Sequence, residues 1–351
     1  MAIFDLAAQA RNTAIIRQSM LTTMEQMPRP ARQLATMTPT PDDKIQMRRM
    51  KVGGAGLAPL KAIGASVPIY SARVQYTENY IELVQIAEKS PIDERLRRQL
   101  ESTDEDIRMR AGLSIEELGQ RLFLRNENRS DKMVMTAILT GQLPIVFEDE
   151  PGQGFTIIYD YDPTHLVNAT NWNNPTTGTP ITDIEATQVL LGNSAGQYGI
   201  HFWMNGETFR NAIWSDEAKF LLTGSDRGQR IPTLTDINVR LREPNQVQWH
   251  VMDAGYQTEN SFARGLNSLN KWIPDDIVIM TTSDPFEGEA LVEQFDGRVL
   301  VRTGFDSLQL RQGQQSFAKI DDSDTYNWHQ VSTRMPRINR PECIAIMDVG
   351  A

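Results

Sequence analysis

The sequence predicts an α+β protein that carries long extensions outside its compact body. Three observations lead there. The chain opens on a polar, Met-rich stretch that runs into a Gly/Pro-punctuated segment, V-G-G-A-G-L-A-P-L-K-A-I-G-A-S-V-P-I-Y (Val52–Tyr70). One very long helix pattern follows and ends near residue 140. Beyond it the chain turns β-rich, with shorter helical patterns between strands. Compact enzymes seldom spend so much chain on extension before a core begins. Subunits that assemble by embracing their neighbours do.

With 351 residues, the chain exceeds the size at which one hydrophobic core usually stops growing. Two domains, or one domain with large extensions, is the expectation. An apolar content of 40% suits a folded protein with poorly buried arms. No run of 18 apolar residues occurs, so no membrane span is expected. The opening M-A-I-F-D-L-A-A-Q-A-R-N has no basic region followed by an apolar one, so no secretory signal is expected. The single cysteine, Cys343, excludes an internal disulfide framework and fits a reducing cytoplasm. It reads as a small core residue.

The net charge of -10 argues against a general nucleic-acid binder. Residues 1–50 hold seven Lys/Arg and four acids, a net +3, which leaves -13 for the remainder. A weakly basic arm on an acidic body could touch nucleic acid or an acidic partner, or simply be solvated.

Residues 5–27 read as an amphipathic helix with Ala7, Ala10, Ala14, Leu21 and Met24 on one stripe, stopped by Pro28 and Pro30. That stripe is small and Met-rich, which suits a docking arm. Residues 35–53 carry no period and should be extended. Gly53, Gly54 and Gly56 fit neither a P-loop nor a dinucleotide-binding loop and mark a bend. Residues 66–88 alternate loosely and suggest a two-stranded hairpin with little core of its own. A charged helix is expected within 91–112. Ser114-Ile-Glu-Glu117 has the form of a capping box opening a helix over 115–140, with Gly141 as its C-cap and Pro144 beyond. Its middle, R-N-E-N-R-S-D-K, is almost wholly polar, as in a helix that spans a structure without being buried in it. Downstream, 155–161 is a strand and Asn171–Pro180 a loop. Residues 181–192 and 206–223 are helical, and 247–252, 277–281, 299–302 and 342–349 are strands.

A search for chemistry finds no catalytic, cofactor-binding or metal-ligating set. His165, His201, His250 and His329 have no ligand partner at short spacing, and His201 reads as structural. Nothing local pairs Cys343 with a histidine. The acidic clusters Glu148–Glu150 and Asp321–Asp324 read as solvated turns, the second lacking the Gly and distal Glu of a calcium loop.

The ordered series P-T-P-D-D-K-I-Q-M-R-R-M, L-A-P-L-K (Leu57–Lys61), I-E-L-V-Q-I-A-E-K-S-P-I-D, L-T-G-Q-L, N-W-N-N-P-T-T-G-T-P-I-T-D-I, W-I-P-D-D-I-V-I-M and M-P-R-I-N-R-P-E-C-I-A-I-M-D-V resembles the major capsid proteins of tailed bacteriophages. The resemblance is to the lambda-like class (phage major capsid protein E) and covers about residues 35–351. It implies the Hong Kong 97-type fold. Residues 1–53 would be an N-terminal arm and 54–88 an extended loop laid across the adjacent subunit. Residues 89–180 and 306–351 would form a peripheral domain, with 115–140 as its spine helix and strands near 155–161 and 342–349 completing it. Residues 181–305 would be the axial domain. The implied function is an icosahedral shell of many copies, as hexamers and pentamers, around double-stranded DNA. That shell would have no enzymatic activity, cofactor or membrane contact. Scaffolding from a separate protein, a portal and a decoration protein are the further partners implied, with assembly in the host cytoplasm and a final place in the virion. Lys51 and Lys61 lie near the loop, but no partner Asn is identified, so the Lys–Asn crosslink of some members is not carried over. The alternatives are an encapsulin-like nanocompartment shell and an α/β hydrolytic enzyme using a carboxylate pair.

Overall fold

The computed structural model describes residues 29–51, 75–147, 154–195, 199–223, 233–235, 238, 248–256, 270–282, 290–303, 307–320 and 326–350. The chain divides into two compact units. The first comprises 1–45, 81–136 and 293–337; the second comprises 46–80, 137–292 and 338–351.

In the first unit a short helix α1 (Pro30–Leu34) begins at a proline, which suits the first helical position. Strand β1 (Ala35–Pro39) follows. Strands β2 (Lys44–Lys51) and β3 (Gln75–Glu82), most of each in the second unit, pair as a two-stranded ladder that no other described strand joins. Strand β4 (Val84–Pro91) leaves that ladder and pairs antiparallel with β17 (Tyr326–Ile338), from Val84↔Arg334 to Pro91↔Asn327. The hairpin expected within 66–88 is therefore corrected. Its second strand belongs to a different sheet, and the partner of β3 lies some 30 residues upstream. The other strands of this unit are β13 (Val292–Asp296), the β14–β15 hairpin (Arg298–Thr303, Ser307–Gln312) and β16 (Gln315–Ile320). The main sheet runs β1-β13-β17-β16, with β4 also on β17.

Helix α2 (Glu94–Leu100) is solvated and laced by i,i+4 ion pairs such as Arg98–Glu94 at 2.5 Å. Helix α3 runs from Glu105 to Thr140, 36 residues, or about 54 Å at 1.5 Å per residue. It starts ten residues before the expected position. Its cap is Asp104, whose Oδ1 accepts from Asp106 N at 2.9 Å. Ser114 lies inside the helix and donates to the Arg110 carbonyl at 3.1 Å, while Glu117 pairs with Arg121 at 2.6 Å. The C-terminus is as expected: Gly141 takes φ 64° and its N–H bonds to the Ala137 carbonyl at 3.0 Å. Ile92, Leu122, Phe123 and Trp328 form a core cluster between this helix and β17.

The second unit is built on a sheet ordered β7-β18-β12-β8-β9. Its strands are β7 (Leu166–Asn168), β8 (Gly199–Met204), β9 (Gln248–Val251), β12 (Ile277–Thr282) and β18 (Ile344–Asp348). The central strands β12 and β18 are antiparallel, Ile277↔Asp348 to Thr281↔Ile344. The C-terminal strand thus lies in this unit, beside 277–282. Cys343 is buried at the end of a 3-10 turn (Pro341–Cys343) just before it. A hairpin of β5 (Gln142–Ile145) and β6 (Phe155–Ile158) leads in from α3. Two short strands, β10 (Gly255–Tyr256) and β11 (Asn270–Lys271), pair with each other.

Helix α4 (Pro180–Ala195) buries Ile184, Thr187, Gln188 and Leu191, and Ile184 and Leu191 join Phe202, Met204, Trp249, Val278, Met280, Ala345 and Met347 in one core. The expected single helix over 206–223 is two, α5 (Gly206–Trp214) and α6 (Asp216–Thr223). Ser215 breaks it: its Oγ donates to the Ala212 carbonyl at 2.8 Å and accepts from Ala218 N at 3.1 Å.

The loop Asn171–Pro180 is tied down at its centre. Trp172 is fully buried, and Asp183 of α4 accepts from its Nε1 at 2.9 Å, from Thr170 Oγ1 at 2.5 Å and from Thr170 N at 3.1 Å. Substituting Asp183→Ala leaves the buried indole N–H without its acceptor, a loss of about 1–3 kcal/mol. Urea unfolding of the variant should show it as a lower midpoint at unchanged slope.

Candidate assembly surfaces and a buried charge network

The polar waist of α3 is buried, contrary to the sequence expectation of a solvated span. Asn126, Glu127, Ser130 and Asp131 fall at i, i+1, i+4 and i+5. They continue the stripe that Leu122 and Phe123 begin and that Val134, Ala137 and Ile138 complete. One helix face therefore stays inside while its chemistry changes from apolar to ionic and back. Glu127 and Asp131 retain only 2% and 1% of their exposure.

Buried charges need partners, and three arginines supply them. Arg29 reaches Asp131 at 2.6 Å, and Arg32 of α1 reaches Glu127 at 2.6 Å. Arg334 of β17 joins Glu127 at 2.7 Å and Asp296 of β13 at 3.2 Å, and donates to Ser130 Oγ at 3.2 Å. Ser130 Oγ also accepts from Gln294 Nε2. Asn126 accepts from Ser332 Oγ at 2.6 Å and donates to the Ile86 carbonyl at 3.0 Å. Three cations meet three carboxylates, so the cluster is formally neutral. It joins the stretch before β1, the long helix and two sheet strands.

The two helix carboxylates differ. Burial pushes Glu127 up, but Arg334 and Arg32 together outweigh it, so its pKa lies below the usual Glu value. Burial also pushes Asp131 up, with the Glu127 charge adding to it, and Arg29 and the more distant Arg32 do not offset them, so its pKa lies above the usual Asp value. Arg334 is raised: burial lowers it, and Glu127 and Asp296 reverse that. A carboxylate with a depressed folded-state pKa stabilises the fold above its unfolded value and loses that contribution as pH falls through the folded value. The Glu127 contribution is thus complete above about 4.5 and lost below it. The melting temperature should fall on acidification through that window, and a Glu127→Gln variant should lose this part of the dependence while being less stable at pH 7. Identical pH profiles for both proteins would count against the network.

The surface carries a second kind of feature. Several secondary elements leave large apolar side chains in solvent, and such patches mark interaction sites more often than chance exposure does. The β5–β6 hairpin exposes Val146, Phe155 and Ile158, with Phe147 and Phe155 ring centroids 6.2 Å apart. Helices α5 and α6 expose Trp214, Phe220 and Leu221. Leu300 and Leu310 are exposed directly opposite each other on the β14–β15 hairpin. The start of α3 exposes Ile107, Met109 and Leu113. An open groove between α2 and the start of α3 is lined by Asp93, Glu94, Arg95, Arg98, Gln99, Ser102 and Ile107. Its charges, two acids and two arginines, are solvated.

Among the described residues no three His, Cys, Asp or Glu side chains gather as a metal site. His165 is buried between the Ile344 carbonyl (3.1 Å) and Ser194 Oγ (2.9 Å). His329 stacks on Phe317 at 5.3 Å. His201 and His250, 49 residues apart, meet with ring nitrogens 3.1 Å apart, a proximity that no short spacing could signal. Glu148–Glu150, Asp321–Asp324, Gly53, Gly54, Gly56, Lys61 and the helix expected over 5–27 lie outside the described residues. The arginines of the charge network were invisible as a set, because Arg334 and its partner Glu127 lie 207 residues apart (334 − 127). The one available signal was the helical phase of the four polar residues.

No family profile matches the chain, and no curated protein matches it. Solved structures do. A prophage protein of E. coli CFT073, assigned as its capsid protein, matches with a TM-score of 0.55 over 92% of this chain and 93% of its own, at 13% identity. A phage-related protein from Bordetella bronchiseptica RB50 matches with a TM-score of 0.51 over 92% of each chain, at 10% identity. At such identities the likeness is one of fold. The chain has the α+β, Hong Kong 97-type fold that the sequence resemblance implied.

Proposed function

We propose that this chain is the major capsid protein of a tailed bacteriophage, a non-enzymatic subunit whose copies close into an icosahedral shell around double-stranded DNA. The observation that carries the reading is the fold shared along nine tenths of the chain with a prophage protein assigned as a capsid protein. The exposed apolar faces on four separate elements support it, because a subunit contacted on several sides by copies of itself needs several distinct patches. The acidic body suits a DNA container, since like charge keeps packaged DNA from adhering to the wall.

On this reading residues 1–53 serve as the N-terminal arm. Residues 54–88 serve as the extended loop, with the β2–β3 ladder at its base. Residues 89–180 and 306–351 act as the peripheral domain and 181–305 as the axial domain. The subunits form pentamers and hexamers in the host cytoplasm, with a separate scaffolding protein, a portal and a decoration protein as further partners, and end in the virion. Native mass spectrometry of the expressed chain should find oligomers of five and six copies of the 39.7 kDa subunit. Monomer alone, at every concentration up to the solubility limit, would contradict the reading.

A further inference from the structure

Strands β8 and β9 run parallel, with His201 opposite Gln248 and Trp203 opposite His250. His201 and His250 are therefore diagonal neighbours on one face of the sheet, a distance long side chains can bridge. Their rings meet: His201 Nδ1 lies 3.1 Å from His250 Nε2. The Trp203 indole stacks on His250, with centroids 4.0 Å apart and planes 13° from parallel. Both histidines are half-buried, with a side open to solvent.

From this geometry we infer that His201 and His250 form a two-imidazole site for a borderline divalent transition metal, Cu²⁺, Ni²⁺ or Zn²⁺, on the sheet of the second unit. The separation is the central argument. Two metal–nitrogen bonds of about 2.0–2.1 Å place their nitrogens about 2.9 Å apart when cis at a right angle and about 3.4 Å apart at a tetrahedral angle. The observed 3.1 Å lies between these values, so the spacing already suits two cis ligands, and each ring turns so that its lone pair leaves the line between the nitrogens and converges on the metal. In the metal-free pair one nitrogen carries the bridging proton and the other accepts it. Binding moves that proton to the far nitrogen of its own ring, and the site then offers two neutral ligands with no net proton release. Burial lowers the pKa of both rings, and for His250 the neighbouring His201 lowers it further. No third His, Cys, Asp or Glu joins them among the described residues, so water fills the remaining positions. The stacking on Trp203 holds the His250 ring in place, as outer-shell contacts do in built metal sites. This site is independent of the shell reading.

Isothermal titration of the full, untagged chain with NiCl₂, CuCl₂ and ZnCl₂ at pH 7.5 tests it. One ion per chain is expected, tightest for Cu²⁺. His201→Asn and His250→Asn should each weaken binding at least about tenfold, since even outer-shell changes cost about 10–100-fold. Each variant should keep the circular dichroism spectrum of the parent. A second readout is built in: Cu²⁺ bound at His250 quenches the stacked Trp203, so copper-dependent quenching of tryptophan fluorescence should appear in the parent and be lost in both histidine variants. Absence of binding for all three metals, or equal affinity in parent and both histidine variants, overturns the assignment.

Discussion

Replacing Arg334 with leucine should destabilise the folded chain by about 3–5 kcal/mol, the cost of removing one partner from a buried ion pair. The reason is local and asymmetric. Arg334 binds Glu127 and Asp296 and donates to Ser130. Its loss leaves Asp296 without this cation and leaves Glu127 held by Arg32 alone. Arg334→Lys should recover only part of the loss. A lysine ammonium is a point charge and cannot present the planar fork that meets three acceptors on two elements. Replacing Arg32, Glu127, Asp296 and Arg334 together by apolar residues of similar volume should cost far less than Arg334→Leu alone, because only the Arg29–Asp131 pair of the network then remains charged and no carboxylate loses its arginine. Urea denaturation of the three variants measures the ordering, and a loss below about 1 kcal/mol for Arg334→Leu would mean that water reaches the cluster.

Replacing residues 52–74 by a short Gly-Ser link should abolish shell formation while leaving the subunit folded. Strands β2 and β3 pair only with each other among the described residues, and a two-stranded ribbon is marginal unless a further surface covers it. The Lys44–Glu82 pair at 2.8 Å is wholly exposed and adds little. The fold therefore gains little from the ribbon, and on the proposed function the adjacent subunit supplies the missing surface. The shortened protein should keep its melting temperature within a few degrees and sediment as subunits or single capsomers. Normal shells from it would remove the loop from the assembly mechanism.

What the sequence disclosed, and what it hid, follows from how far each signal reaches. Strand β12, I-V-I-M-T-T, was readable because a strand buried on both faces is a continuous apolar run. The end of α3 was readable because Gly141 adopts the left-handed cap conformation that a following strand demands. Strand β17 was not. Its Gln330, Ser332 and Arg334 are buried at alternate positions, and Ser332 and Arg334 meet the ionic waist of α3. A strand whose inner face is polar gives no hydropathy alternation. The same cause hid the waist, since polar residues suggest solvent until their arginine partners are placed. Pairing of β3 with β2 was missed because a local hairpin was the simpler reading of 66–88. The start of α3 was placed late because Ser114–Glu117 satisfies the capping pattern while the working cap is Asp104.

Negative-stain electron microscopy of the expressed chain, alone and with a candidate scaffolding protein, tests the central claim most directly. The account predicts closed shells or capsomer rings tens of nanometres across in at least one condition. Uniform monomers in both would contradict it.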